Sequence, residues 1–172
     1  TVAVDPNLER AGPVADELQL KLVPNLNDVL SDPALDAISL ATPHTLHTQQ
    51  IIEAASAGKH IYTEKTFALN AEDARKAVAA VKKAGVQLAL GHDQRFYPVM
   101  AELNHLIQEG ALGPILHVET TLVHNSLLEP YRNRHSGGGE EYARGWRLDA
   151  REVPAGPISQ FGLHRIDALI QL

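Results

Sequence analysis

Ala37-Ile38-Ser39-Leu40-Ala41, followed by Thr42-Pro43-His44 and, after a helical run closing at Ala57-Gly58, by His60-Ile61-Tyr62-Thr63-Glu64-Lys65-Thr66, is the stretch whose reading decides the fold. Two short apolar runs flank one helical pattern. In that pattern Ile51, Ala54 and Ala55 share a face and Gly58 supplies the stop. Strands separated by a helix of this length form a βαβ unit, so they lie parallel in one sheet.

The same alternation continues outward in both directions. Upstream, Thr1–Val4 and Leu20–Val23 read as strands around a helix at Leu8–Leu18, whose first turn is unsettled by Gly12-Pro13. A short helix follows Asn25 and runs to Leu30. Downstream, Asn70 caps a helix with Glu72 and Asp73 in its first turn. Ala74, Val78 and Val81 form its apolar stripe, Lys82-Lys83 its last turn, and Gly85 its end. Val86–Leu90 is a further strand. The class is therefore α/β, with a doubly wound parallel sheet over residues 1–96.

After Gly91 the pattern changes. A helix from Pro98 to Glu109 leads to Pro114–His124, whose alternation of apolar and polar residues fits an antiparallel strand with one wet face. Residues 125–157, with Gly137-Gly138-Gly139, read as a long irregular loop, and Ile166–Leu172 is apolar with helical period. Residues 97–172 are read as the start of a second α/β domain. The opening strand and closing helix both look cut through, so the sequence reads as a fragment lacking a first strand and its glycine-rich turn. The strands now first and third would then face each other across about 10 Å, twice the usual ~4.8 Å spacing. Such a piece is expected to be poorly stable alone and to bind a dinucleotide weakly.

Composition narrows the function. The 172 residues are 44% hydrophobic and 21% charged, ordinary for a globular chain. A net charge of −6 argues against a nucleic-acid partner, which calls for a clustered basic face. Cysteine is absent, which removes disulfides, thiolate metal sites and thiol catalysis and suits a cytoplasmic setting. No spanning segment or signal peptide is apparent, so no membrane role is expected.

The third, fourth and fifth strands end in polar sequence at one rim, the carboxyl edge where open α/β sheets bind ligands, and the first strand ends in Asp5. Asp5 ends the first strand, where an acidic residue accepts hydrogen bonds from ribose hydroxyls and repels a 2′-phosphate, favouring NAD over NADP. An Asp-Pro turn accounts for it equally well. Thr42-Pro43 opens a helix whose free N–H groups favour anionic or polar ligand groups. His44 and His47 have a zinc-compatible spacing, but a third ligand is lacking, so no metal is assigned. Glu64-Lys65-Thr66 and Gly91-His92-Asp93-Gln94-Arg95-Phe96 complete the rim. A surface ion pair would explain Glu64-Lys65. A lysine at a buried strand's mouth with a histidine from a later domain, His164, also suits proton transfer coupled to hydride transfer.

Ala41-Thr42-Pro43 with His47, Ala57-Gly58-Lys59-His60, Glu64-Lys65-Thr66, Gly91–Phe96, Glu109–Ile115, Trp146-Arg147 and Gly162-Leu163-His164-Arg165-Ile166-Asp167 together resemble the Gfo/Idh/MocA family of NAD(P)-dependent oxidoreductases, in order along the whole chain. The resemblance implies a Rossmann dinucleotide-binding domain followed by a domain with an open, mostly antiparallel sheet. It implies Lys65 and His164 as the catalytic pair. Asp5, Thr42, Pro43, His47, Glu64, Lys65 and Arg95 fall on the cofactor side, and Lys65, Trp146, Arg147, Gln160 and His164 on the substrate side. The family usually has proline at the position of Thr66 and often aspartate at that of Gln160. A neutral amide cannot hold His164 as an ion-paired acid, which leaves the proton work to Lys65 and His164.

The expected activity is NAD-dependent oxidation of a secondary alcohol on a sugar, cyclitol or similar polyol, by a protein that forms a homo-oligomer when full length. Two alternatives stand beside it. One is glycoside hydrolysis or epimerisation through transient oxidation without net redox. The other is a non-catalytic ligand sensor of the same fold.

Overall fold

The computed structural model describes residues 1–121, 149–156 and 158–172. Strand β1 (Val2–Val4), helix α1 (Leu8–Glu17), β2 (Lys21–Val23), the single turn α2 (Asn27–Leu30), β3 (Ala37–Leu40), α3 (His44–Ser56), β4 (His60–Glu64), α4 (Ala71–Ala84) and β5 (Leu88–Gly91) alternate in that order. A 3-10 turn at Asp93–Phe96 leads into α5 (Pro98–Gln108). A π turn (Ile158–Gly162) runs directly into α6 (Leu163–Gln171).

Every ladder is parallel, as the alternation requires. β1 pairs with β2, β3 with β4 and β4 with β5, giving two sheets, and no ladder joins β1 to β3 among the described residues.

Local chemistry sets the helix limits. Asn7 accepts from the Arg10 N–H at 2.9 Å at the start of α1, which runs through Pro13 without ending. Asn70 caps α4 by accepting from the Asp73 N–H, and Gly85 closes it with φ +69°, a conformation open to glycine at little cost. α3 begins at His44, with Pro43 at its cap position and no side-chain cap from its own sequence.

The core lies between the three-stranded sheet and the α3–α4 pair. Leu40, Ile51, Ala54, Ala55, Ile61, Ala77 and Val81 form it. Alanines on both helices let the backbones approach, while Ile51 and Ile61 supply bulk worth about 1.5–3 kcal/mol each when fully buried. The pairs Leu40↔Thr63 and Glu64↔Gly91 bring the ends of β3, β4 and β5 level. Thr42, Lys65 and His92 therefore leave the sheet along one rim.

The strand expected at Pro114–His124 is not found: residues 115–121 form no ladder, and 122–124 lie outside the described residues. Alternation gives a segment two faces but no partner, and nothing described pairs with this one. The turns at 149–156 agree with an irregular approach to the closing helix, whereas most of the expected 125–157 loop lies outside the described residues. No helix of the described residues is long and apolar enough to cross a membrane.

Candidate functional site

The rim gathers its side chains through contacts that span the chain. Lys65 leaves β4 at a bend where the Lys65–Thr66 peptide is cis. Its Nζ donates to the main-chain carbonyl of Gln160 at 2.7 Å, and the Phe161 ring centroid lies 6.0 Å away. Next to it, the Thr66 hydroxyl donates to the Ser159 carbonyl at 2.8 Å. Both carbonyls belong to the π turn, a form common at functional sites. Four residues beyond Gln160, on the first turn of α6, stands His164.

The His164 side chain is 12% exposed, and its Nδ1 has no hydrogen-bond partner among the described residues. Asp93 Oδ1 is 3.6 Å from that nitrogen, beyond hydrogen-bond reach. The His92 ring meets His164 edge-on, with centroids 5.8 Å apart and planes at 90°. Burial pushes the His164 imidazole below the usual histidine range, and the Lys65 ammonium pushes it the same way. Asp93 pulls against them. The ring is therefore neutral near pH 7. A neutral imidazole with an uncommitted nitrogen, beside an ammonium held on a carbonyl, can accept and return a hydroxyl proton.

The remaining rim residues sit as follows. Asp5 accepts from the Asn7 N–H at 2.8 Å and from Arg10 at 2.6 Å. A carboxylate has about four lone-pair positions, so room remains for ribose hydroxyls. The Thr42 hydroxyl donates to Gln50 Oε1 at 2.5 Å, and Pro43 turns the chain into α3. Glu64 accepts from the Tyr62 hydroxyl at 3.3 Å. Gly91 lies against that pair: a Cβ there would stand 2.6 Å from the Tyr62 hydroxyl oxygen and 3.1 Å from Glu64 Oε1. The absence of a side chain at Gly91 is what lets the Tyr62 hydroxyl and Glu64 meet over the end of β5.

Several residues have duties other than those read from sequence. His47 does not line the cofactor edge. It is 0% exposed, with Nδ1 2.7 Å from the Thr66 carbonyl oxygen and Nε2 3.0 Å from that of Thr42. His44 turns its Nδ1 to the Glu152 carbonyl at 2.7 Å, and burial lowers its pKa. The two histidine rings lie 5.8 Å apart, yet His44 Nδ1 and both His47 nitrogens face carbonyls. No group of three potential ligands forms among the described residues. Arg95 is committed to Asp167, its Nε donating at 3.0 Å and a second nitrogen bonding the other carboxylate oxygen. Gln160 meets Lys65 through its backbone, so that contact is independent of its side chain. Trp146 and Arg147 lie outside the described residues.

Two contributors were not read from the sequence. Asp93 lies in a quoted rim motif, and its position after β5 was the available signal. Glu152 gave none. Its carboxylate, on a residue 8% exposed, accepts from the Thr45 N–H at 2.9 Å and the Thr45 hydroxyl at 2.6 Å, across 107 residues. The α3 N-terminus that the sequence offered to a ligand is occupied by this side chain, which supplies the missing cap.

Comparison with known proteins bears on the family and the fold. Residues 1–92 match the family model described as the oxidoreductase family with an NAD-binding Rossmann fold. The chain is 34% identical over 135 residues to scyllo-inositol 2-dehydrogenase (NAD(+)) of Bacillus subtilis, covering 78% of this chain and 40% of that protein. It is 37% identical over 120 residues to 2,7-anhydro-N-acetylneuraminate hydratase of Escherichia coli, covering 70% and 32%. Among solved structures, levoglucosan dehydrogenase in complex with NADH and levoglucosan superposes with a TM-score of 0.81 at 25% identity, covering 100% of this chain and 44% of that one. The chain thus spans two fifths or less of the length of these curated relatives. With more than half its length matching the family model, the chain belongs to the Gfo/Idh/MocA oxidoreductase family.

Proposed function

We propose that the protein is an NAD-dependent dehydrogenase acting on a secondary alcohol of a sugar, cyclitol or similar polyol. The observation that carries this reading is the meeting of Lys65, from the end of β4, with the turn that leads into His164. A bound nicotinamide supplies the hydride acceptor. Thr42, Pro43, Glu64 and Asp5 hold the dinucleotide along the rim, with Asp5 favouring NAD over NADP. Lys65 and His164 orient the substrate hydroxyl, and neutral His164 takes its proton as Lys65 stabilises the oxygen. His47 and Arg95 serve at one remove, through Thr66 and Asp167. Trp146, Arg147 and Gln160 belong to the substrate side of the same proposal, as do a cytoplasmic setting and a homo-oligomer.

A second reading has a specific support, the similarity to a protein named as a hydratase. In that case the cofactor is regenerated within each turnover and no net redox change appears. One experiment separates the two. The protein is incubated with NAD or NADP and a panel of sugars, cyclitols and anhydro sugars, while free NADH and substrate loss are followed together. Stoichiometric NADH supports the dehydrogenase; substrate loss without NADH supports the alternative. Dinucleotide binding with no turnover on any member of the panel would refute both and leave a ligand sensor.

A further inference from the structure

Thr66 is gripped at both ends. Its carbonyl lies 2.7 Å from Nδ1 of the fully buried His47, and its hydroxyl donates to the Ser159 carbonyl at 2.8 Å. Neither anchor is loose. The other His47 nitrogen is set against the Thr42 carbonyl at 3.0 Å. Ser159 is 7% exposed, and its own hydroxyl accepts from the Ala155 N–H at 3.1 Å. The Ser159 and Gln160 carbonyls are consecutive on the π turn, and Lys65 and Thr66 are consecutive on the bend. The two hydrogen bonds therefore run side by side, Thr66 to 159 and Lys65 to 160.

The paired contacts form a ratchet with one setting. A Lys side chain has four rotatable carbons and can follow its acceptor over several ångströms. A Thr side chain has one rotatable bond and cannot. The short contact therefore fixes the register of the π turn on the Lys65 bend, and the long one follows it. Because α6 starts where the π turn ends, the same register sets where His164 stands relative to Lys65.

We propose that Thr66 is a positioning residue whose hydroxyl, braced from behind by His47, sets the approach of His164 to Lys65. This rests on the proposed dehydrogenase reading, in which those two groups share the substrate proton. Its geometric content stands apart from that reading. His164 is faced by Lys65, Asp93, His92 and Glu64, of which Lys65 acts most strongly after burial itself. A turn that slips away from the bend takes His164 away from the ammonium, and the imidazole then titrates closer to an ordinary histidine.

The test uses the whole protein with Thr66→Val, which keeps the β-branched shape without the donor, and Thr66→Ser, which keeps the donor without the methyl. Two readouts are taken: the NMR titration midpoint of His164 with no cofactor or substrate, and kcat and KM on the best substrate. Thr66→Val is expected to raise the His164 midpoint and to lower kcat by about 10- to 100-fold with KM changed less than about threefold. Thr66→Ser should match the native protein in both. His47→Gln, which alters the brace on the Thr66 carbonyl together with the Thr42 contact, should move the midpoint in the same direction as Thr66→Val. An unchanged midpoint and kcat in Thr66→Val overturns the inference. So does a Thr66→Ser protein as impaired as Thr66→Val, because the methyl and not the hydroxyl would then set the register. If the native protein turns over nothing on the panel, the dehydrogenase reading fails by itself and the NMR midpoint alone decides for or against Thr66.

Discussion

Removing the Glu152 carboxylate tests how firmly the closing segment is tied to the nucleotide-binding half. In Glu152→Ala, the Thr45 N–H loses a 2.9 Å acceptor and the Thr45 hydroxyl a 2.6 Å one. A hydrogen bond to a charged group contributes about 1.5–3 kcal/mol, and a carboxylate at a helix N-terminus adds about 0.3–1 kcal/mol. Glu152 is 8% exposed, which limits screening, but Thr45 is exposed, so the low end of each range applies. The expected loss is about 3 kcal/mol. Glu152→Gln behaves differently. Its amide oxygen can take the Thr45 N–H, and the Thr45 hydroxyl can turn to accept from the amide nitrogen. The charge at the helix terminus and the charge-assisted part of the two hydrogen bonds are then lost, together about 1 kcal/mol. Urea unfolding of the native protein and both variants gives the order, and hydrogen exchange at the Thr45 amide localises it. The amide should exchange faster in Glu152→Ala and stay protected in Glu152→Gln. A Glu152→Ala protein within about 0.5 kcal/mol of the native one, or a Gln variant equal to the Ala variant, refutes the clamp.

Three further outcomes follow from the same geometry. Lys65→Ala should lower turnover by about 10²- to 10⁴-fold while dinucleotide affinity, measured by fluorescence titration, stays within about tenfold. His164 has a folded-state pKa below the ordinary value near 6.5, so kcat/KM should be full above that pH and fall as pH drops through the depressed midpoint. A pH–rate profile of His164→Gln should lack this acid limb. The unfolded chain takes up the proton first, so urea stability should also decline as pH falls below about 6.5. Gly91→Ala places a methyl 2.6 Å from the Tyr62 hydroxyl oxygen. Tyr62 is partly exposed and can swing aside, so stability should change by less than about 1 kcal/mol. Glu64 loses its partner, however, and dinucleotide affinity should fall. Tyr62→Phe in the Gly91→Ala background should recover it only if the clash, and not the lost hydroxyl contact, is responsible.

What the sequence disclosed was governed by distance along the chain. Strands β1 to β5 and helices α1, α3, α4 and α5 are visible because their signals are local: apolar period, an Asn70 cap, a Gly85 stop. The rim followed from topology, since parallel strands must all end at one edge. Arg95 and His47 were placed at the right rim and given the wrong neighbours. Their partners, Asp167 and the Thr66 carbonyl, are set by how α6 docks and how the Lys65 bend turns, and neither is a local property. Glu152 was invisible for the same reason. The alternating run at Pro114–His124 shows the converse failure. Its period-two pattern is a true local signal, yet a strand exists only when something pairs with it.

The choice of a carbonyl as a partner of Lys65 has a chemical consequence. Had a carboxylate stood at residue 160 and reached the ammonium, the charged pair would have formed the stronger class of hydrogen bond, and the substrate oxygen would have had to break it. The Gln160 main-chain oxygen is a neutral acceptor at 2.7 Å, roughly half as strong, and a polyol hydroxyl can replace it at little net cost. The carbonyl thereby helps to keep the lysine in place. A backbone acceptor also cannot be lost by substitution at its own position, provided the turn keeps its shape. The burden of precision then passes to the residues that shape the turn. Gln160→Asp should therefore leave the Lys65 anchor intact and change kcat less than Thr66→Val does. A Gln160→Asp protein that loses more turnover than Thr66→Val would show that the amide side chain, not the carbonyl, is the contact that matters.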